Sequence, residues 1–486
     1  MVAFGVLTLA LTAALPIAFS GRSLLADTAT RADALERAGQ ALELSSASAT
    51  SDFQSVQSTT GADGQALEVE PVDLWTERVT SAVTWRAPGG RIETVRLSTL
   101  IVNPDPEDTC NPAVTGDWRH SQANVFNLAT LVGDTANRYA VTGVDAWNGR
   151  LYVTTSGSST SQASFFVFDV RNPGQPTLLG ALDNDSGAKT GPSAVAVAPS
   201  GGKVYAYLAS ASSFARGQLQ VIDVTSPTPA GWAPQVVTYK IPANIVPTAG
   251  LGNSVFYRRG YVYLGLTSTP GGQEFSVIDV HDPVHPAWLG GYSLQGHAVN
   301  AIRVRDGYAY LAHPAGAYGT AREELTVLDV TNPSQPRRVS GFYALEGLGG
   351  NGKSLSVNEN RVYLGRTTTK ISGPTDALPE FLALDNRNPA DVPVTPLGSL
   401  NLATAESVNG LVGRGNLAFL LTSDQLQVWD LTDVTAPRPL TPHASASEFP
   451  ALPGRGASLD CEGDALYAGG GTDDGQGFLE IFTPRP

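Results

Sequence analysis

A repeated phrase constrains the fold of this chain more than anything else in it. It reads FFVFDVRNPGQPTLLG at 165–180, LQVIDVTSPTPAG at 219–231 and FSVIDVHDPVHPAWLG at 275–290. It returns as LTVLDVTNPSQPRRVSG at 325–341, FLALDNRNPADVPVTPLG at 381–398 and LQVWDLTDVTAPRPL at 426–440. A last copy, LEIFTPRP, occupies 479–486 with Thr483 in the place of the aspartate. The markers Asp169, Asp223, Asp279, Asp329, Asp385 and Asp430 are spaced 45 to 56 residues apart. Strand-like units at such a period indicate radial repetition, in which every unit is one small sheet. Each unit reads as four strands; in the third they are 253–259, 261–267, 274–280 and 286–294. Tight turns such as Arg305-Asp306-Gly307 join the first two strands of a unit. The third strand is almost wholly apolar, as befits a strand covered on both faces. Its terminal Asp accepts backbone N–H groups in the turn to the outer strand, while Asn-Pro and a second Pro hold the loop. Every unit needs that turn, so these aspartates are read as structural rather than catalytic or metal-binding.

These phrases resemble the LVIVD-type repeat of bacterial and archaeal surface proteins, over residues 126–486. The resemblance implies a seven-bladed β-propeller and exposure outside the cell, and it implies no particular chemistry.

The seventh unit runs out before its outer strand, and an open sheet edge is a liability. The segment FNLATLVGD (126–134) is similar to the outer-strand text PTLLGALD at 176–183. It is expected to dock as the outer strand of the seventh unit. The two cysteines flank that closure, Cys110 just before the segment and Cys461 in the innermost part of the seventh unit. A disulfide between them would bolt the ring shut and would need an oxidising compartment. Two separate thiols are the alternative.

Residues 1–21 carry no charged side chain and are long enough to span a bilayer as a helix. A secretory signal peptide, cut after AFS, is one reading, but no basic residue precedes the apolar run. Leu25, Ala32, Leu35 and Leu42 continue the pattern on one helix face, with Arg and Asp residues mostly off it. One helix over residues 1–44 is therefore expected, membrane-grade in its first half and amphipathic in its second. A Ser/Thr-rich loop follows at 45–60. Then 77–86 and 91–99 flank Ala87-Pro88-Gly89-Gly90 as a hairpin, with Val79, Val83 and Trp85 on one face. Residues 105–125 read as a linker to the propeller at 126–486.

The text MVAFGVLTLALTAALP and the hairpin VTWRAPGGRIETVRLSTLI resemble type IV minor pilins and type II secretion pseudopilins, over about the first 100 residues. Pro16 stands where that family often carries its helix-kinking proline. The resemblance implies a pilin-like helix and a small antiparallel sheet over 45–104. It implies other pilin subunits as partners of the N-terminal helix, the inner membrane before assembly, and the cell surface or pilus afterwards. The family's basic leader, cleavage site and early glutamate are not in the sequence as given, and Met1, its only methionine, is read as internal.

The chain is mainly β by these signals, and its net charge of −14 repels phosphate backbones, so nucleic acid is not an expected partner. Two cysteines cannot build a Cys-rich zinc site. His281 and His285 flank Asp282-Pro283 in a proline-fixed turn, and are not read as metal ligands. Asp183-Asn184-Asp185-Ser186-Gly187 is similar to a fragment of a calcium loop but lacks the later acidic ligand, and Asp473-Asp474-Gly475 is a weaker fragment still. Trp118, Trp147 and Trp232 are assigned to local packing. No G-x-S-x-G, H-E-x-x-H or P-loop occurs. No catalytic residue, metal or cofactor is therefore expected, and the chain is read as a non-enzyme. The expected function is an accessory pilin-like surface protein that displays a propeller for adhesion or for binding a protein or glycan. The alternative is an exported, anchored propeller enzyme with catalytic groups on central-channel loops.

Overall fold

The computed structural model describes residues 23–485, apart from 52–55, 62–63, 74–75, 88–89, 103–109, 111–114, 158–161, 184–190, 211–216, 247–249, 270, 319–320, 344–349, 359, 368–378, 393–394, 403–406 and 441–450. The apolar stretch 1–21 with Pro16, the Pro88-Gly89 turn centre and Asn184–Gly187 of the calcium-like loop lie outside the described residues. The chain divides into two compact units, 1–105 and 106–486.

In the first unit a helix, Ser23–Ser51, packs on an antiparallel sheet. No helix among the described residues is long and apolar enough to cross a membrane. The helix does not stop at residue 44 as expected but continues through the serine-rich stretch. Ser45 allows this by bonding its hydroxyl to the Ala41 carbonyl, 2.8 Å away, one turn back. The buried stripe also differs from the expected one: it is Ala34, Ala38, Leu42 and Ser45, while Ala32 and Leu35 face solvent. Small alanines let the helix lie close over Val83 and Val95.

The sheet has four strands in sequential order, Thr59–Thr60, Gln65–Asp73, Thr76–Arg86 and Ile92–Val102. The last two are the expected hairpin, in register from Thr76↔Val102 to Arg86↔Ile92. Val79 and Val83 are buried on the helix side, with Trp85 partly covered. On the other face Thr80 meets Ser98 at 2.9 Å and Thr84 meets Thr94 at 3.0 Å.

The second unit is a ring of seven four-stranded antiparallel sheets. Sheet 1 comprises Tyr139–Trp147, Arg150–Gly157, Phe165–Asp169 and Thr177–Leu182; sheet 2 comprises Pro192–Ser200, Lys203–Ser210, Leu219–Asp223 and Val236–Tyr239. Sheet 3 comprises Gly252–Arg258, Tyr261–Leu266, Phe275–Asp279 and Ala287–Tyr292, within two residues of the expected bounds. Sheet 4 holds Ala301–Arg305, Tyr308–Tyr318, Ala321–Asp329 and Arg337–Tyr343; sheet 5 holds Asn351–Val357, Arg361–Thr367, Phe381–Asp385 and Gly398–Leu400. A single pair, Pro314↔Asn351, joins these two into one eight-stranded sheet. Sheet 6 comprises Gly410–Arg414, Leu417–Leu421, Leu426–Asp430 and Arg438–Pro439. Sheet 7 takes Arg455–Glu462, Ala465–Gly471 and Gly477–Arg485 from the C-terminus and Asp117–Asn127 as its fourth strand.

The first strand of each sheet packs beside the first strand of the next, and that of sheet 7 packs beside that of sheet 1. Between every two neighbours lies one apolar cluster, such as Tyr152, Phe165 and Val167 against Val195, Leu208 and Ile222 between sheets 1 and 2. The cluster between sheets 7 and 1 joins Tyr467, Leu479 and Ile481 to Val141, Val153 and Phe168. The arrangement is of β-propeller type. Two-residue turns with positive φ at both positions join the first two strands of four sheets: Asn148-Gly149, Gly201-Gly202, Arg259-Gly260 and Asp306-Gly307. Such turns match the strands' own twist.

The closing strand is Asp117–Asn127 rather than 126–134, so much of the expected linker 105–125 is part of the ring. Only Phe126 and Asn127 of the expected segment pair with sheet 7. Asn127 ends the strand because its side chain accepts the Thr130 N–H at 3.1 Å and caps a one-turn helix, Leu128–Leu131. Leu128 and Ala129 are then buried between sheets 7 and 1.

Cys110 and Cys461 form a disulfide, with Cα atoms 5.2 Å apart across 351 residues of chain. By the chain-entropy argument so long a loop is worth more than the ~4.7 kcal/mol of a 100-residue loop. Replacing Cys110 and Cys461 by Ser is expected to lower the stability of the ring by at least about 2 kcal/mol. Denaturant unfolding of the oxidised chain and the double variant, followed by near-ultraviolet circular dichroism, checks this; superimposable transitions would refute it.

Candidate functional site

Each repeated aspartate ends the third strand of its sheet and folds back on the turn. Its Oδ1 accepts the N–H two residues on: Arg171 for Asp169 and Thr225 for Asp223 at 3.1 Å, and His281 for Asp279, Thr331 for Asp329 and Arg387 for Asp385 at 3.0 Å. Asp430 accepts from Thr432 at 2.8 Å. Three residues further on, Asn172, Asp282, Asn332, Asn388 and Asp433 repeat the device. The guanidinium of Arg171 holds Asp169, and that of Arg387 holds Asp385, down at about 2. These carboxylates are committed to their own turns and converge on no common point.

The histidines are placed in the same way. The His281 imidazole lies 2.7 Å from Asp279 and that of His285 lies 2.8 Å from Asp282, each on its own turn carboxylate. Among the described residues no three His, Cys, Asp or Glu side chains are grouped to hold a metal ion. The Thr472 hydroxyl bonds to Asp474, which fixes the turn at Asp473-Asp474-Gly475. Trp118 is buried edge-on against Phe419, with ring centroids 4.7 Å apart, Trp147 packs between sheets 1 and 2, and Trp232 covers Phe165.

The structure also assembles groups that the repeat phrase conceals. The residue just before the repeat phrase is Gln218, Glu274, Glu324 or Glu380 in sheets 2 to 5. Each accepts a backbone N–H from the link that leaves the sheet: Ile241 and Gly350 at 3.0 Å, Leu294 and Leu402 at 2.8 Å. Glu324 also receives two hydrogen bonds, of 2.6 and 2.7 Å, from Arg366 of sheet 5, with both side chains fully buried. Such a pair stabilises little against an apolar substitute, but losing one partner strands a buried charge. His313 is fully buried between the Thr326 hydroxyl at 2.9 Å and the Pro314 carbonyl at 3.0 Å, and burial pushes its imidazole down to about 4.

Among the described residues, the acids on the first strands gather on two neighbouring sheets. Asp145 lies on the first strand of sheet 1, and Asp460 and Glu462 on that of sheet 7. Asp145 Oδ2 accepts the Val197 N–H of sheet 2 at 2.5 Å, and Asp460 Oδ2 accepts the Ala146 N–H of sheet 1 at 2.6 Å. Both oxygens of Glu462 face the Gly149 N–H, at 2.9 and 3.1 Å. Asp145 and Asp460 stand on the adjacent first strands of sheets 1 and 7, within electrostatic reach of each other. Burial and the neighbouring Asp460 carboxylate raise Asp145 well above the usual range, and burial raises Asp460 as well. Arg303 of sheet 4, across the ring, faces both acids and lies 5.5 Å from the centre of the Phe256 ring. The arrangement ties three sheets together through backbone amides.

Glu480 is the other misfit. It lies on the third strand of sheet 7, 2% exposed, with one carboxyl oxygen buried and without a hydrogen-bond partner. Burial pushes it up to about 7. The same register position carries Gln220 in sheet 2 and Gln427 in sheet 6, both neutral.

The LVIVD repeat family matches residues 295–343, the stretch that builds the whole of sheet 4. A search of curated proteins finds no match. The family match does not extend to the first 105 residues, whose likeness to pilins rests on sequence pattern alone.

The Glu480 carboxyl is more readily protonated folded, at about 7, than unfolded, near 4.5. Its contribution is therefore complete below about pH 4.5 and is lost as pH rises through 7. Glu480→Gln is expected to be more stable than the parent at pH 8.5 by up to about 3 kcal/mol and to equal it at pH 4. Urea unfolding of both chains at the two values checks this. An equal difference at both would remove ionisation as the cause.

Proposed function

We propose that this chain is an accessory, pilin-like surface protein whose ring is a seven-bladed β-propeller displayed for adhesion or for binding a protein or glycan. The reading rests chiefly on one observation: a helix-led unit precedes, on the same chain, a separate ring that closes on itself and is stapled by a disulfide. A disulfide of this kind is formed outside the reducing cytosol. The fully uncharged stretch 1–21 leads into the helix, which suits an anchor first held in the inner membrane and then packed among other pilin helices. A ring built on seven similar sheets offers a wide, rigid set of loops, while its interior is spent on packing. In this reading the ligand meets loop residues that differ from sheet to sheet. The bulk of the ring favours a tip or occasional position over the main shaft of a filament.

The enzyme reading would need reactive groups on loops. Among the described residues, the acid pair Asp145 and Asp460 lies on strands, with both carboxyls bonded to backbone amides.

Gold-labelled antibody against the ring, applied to intact cells, tests the proposal. Label at filament tips or sparse points along filaments is the expected result. Label along whole filaments would reject the accessory role, and label unconnected with filaments would reject the pilin reading.

A further inference from the structure

The links between first strands differ around the ring. Each junction from sheet 1 round to sheet 7 has a link through a neutral side chain, joined between sheets 3 and 4 by the Arg258 guanidinium on the Val304 carbonyl. Thr142 donates to the Pro192 carbonyl at 2.6 Å, Ser193 to Gly252 at 3.0 Å and Ser254 to Val299 at 2.9 Å. Asn300 reaches Gly352, Ser354 reaches Val408 and Asn409 reaches Gly456, at 2.7, 2.7 and 2.8 Å. From sheet 7 to sheet 1, two of the three links are carboxyls, Asp460 to Ala146 and Glu462 to Gly149, beside Ser458 to Val144. Asp145 then carries the chain of bonds on to Val197 in sheet 2.

This junction also has a distinct mechanical role. The first three strands of sheet 7 are the C-terminal end of the chain. Beyond sheet 6, they are held by pairing to Asp117–Asn127, by the Cys110–Cys461 disulfide and by their contacts with sheet 1.

We propose that Asp145 and Asp460 form a proton-operated latch, in which one shared proton docks the C-terminal three strands onto sheets 1 and 2 at the inner rim of the ring. With the proton in place, one carboxyl donates to the other while each still accepts its amide. Without it, two carboxylates face each other inside the fold, and repulsion works against both links. The groups facing the pair are Arg303 from sheet 4, Glu462 on the strand of Asp460, and the phenols of Tyr152 and Tyr467. The strand Pro192–Ser200 of sheet 2 brings no charged group. Arg303 favours a single negative charge on the pair and cannot balance two. Burial lets the folded chain keep the proton to higher pH than an unfolded aspartate, whose ordinary value is 3.8. The latch is therefore fully formed in acid and weakens as pH rises through the folded values of the pair.

Hydrogen exchange of the full chain tests this, run in the Glu480→Gln background to remove the other alkaline titration. The probes are the Ala146 and Val197 amides, corrected for intrinsic exchange. The Ile241 amide, held by the neutral Gln218, serves as control. Between pH 5 and 9 the protection of Ala146 and Val197 is expected to fall at least about tenfold, the equivalent of one pKa unit, while that of Ile241 holds. Asp145→Asn keeps a donor toward Asp460 and an acceptor toward Val197 without a titrating proton, so protection there should change less than about twofold, since little of a pKa unit remains to be lost. Asp460→Asn, which also removes the shared proton, is a second variant with the same expectation. Flat protection in the parent, an equal fall at Ile241, or the same fall in the variants would overturn the latch.

Discussion

Burial of both faces of every sheet is the constraint on which the second unit depends. Its third strands, such as Phe165–Asp169 and Phe381–Asp385, turn large apolar side chains to both sides. A single four-stranded sheet cannot cover two apolar faces, and a stack of sheets would leave its two ends bare. A ring leaves neither, provided that the seventh sheet meets the first. Each interface then contributes on the order of 1.5–3 kcal/mol per large apolar side chain buried. The last interface to form contributes as much as the first, which makes closure decisive for the whole.

Closure is obtained by chain arrangement more than by any special residue. Because Asp117–Asn127 supplies the outer strand of sheet 7, the chain passes from that strand to the first strand of sheet 1 much as it does at every other junction. The covalent gap is thereby moved inside sheet 7, between its third strand and its outer strand. An eleven-residue strand, paired antiparallel at seven positions, covers the gap, and the disulfide staples the segment before the outer strand to the innermost strand of the same sheet. Trp118 adds packing at this place, edge-on to Phe419 and 5.8 Å from the Arg414 guanidinium. Arg414 in turn pairs with Asp464 at 3.0 Å, so sheets 6 and 7 are joined beside the staple.

What could be read from the sequence was whatever repeats. The third strand and its Asp turn recur with the same chemistry, so the number of units and most strand positions in sheet 3 follow from pattern. The disulfide followed from where the two cysteines stand relative to the missing strand. The closing strand was misplaced because DWRHSQANVFN shares no phrase with the outer strands it imitates, whereas FNLATLVGD does. A strand recognised by main-chain pairing needs no particular side chains, and Asn127 diverts the lookalike segment into a helical turn. The helix in the first unit was misread for a related reason. Its buried face uses Ala34 and Ala38, which carry little hydrophobic signal, and its end was hidden by a serine-rich stretch in which Ser45 bonds back within the helix.

The polar groups of interest escaped for the opposite reason: they break the repeat or stand just outside it. Glu274, Glu324 and Glu380 precede the phrase by one residue, and only the folded chain shows that each meets an amide twenty or more positions away. Asp145 and Asp460 are separated by more than three hundred residues and become neighbours only because sheet 7 lies against sheet 1. A ring of identical junctions could be held by serine and asparagine throughout, since a neutral side chain bonds an amide or carbonyl without the cost of burying a charge. Carboxyls at the two adjoining junctions of sheets 7, 1 and 2 therefore introduce a pH dependence that the fold does not require. They do so where the C-terminal strands meet sheet 1 and, through Asp145, sheet 2, so a proton held there bears on the closure of the ring.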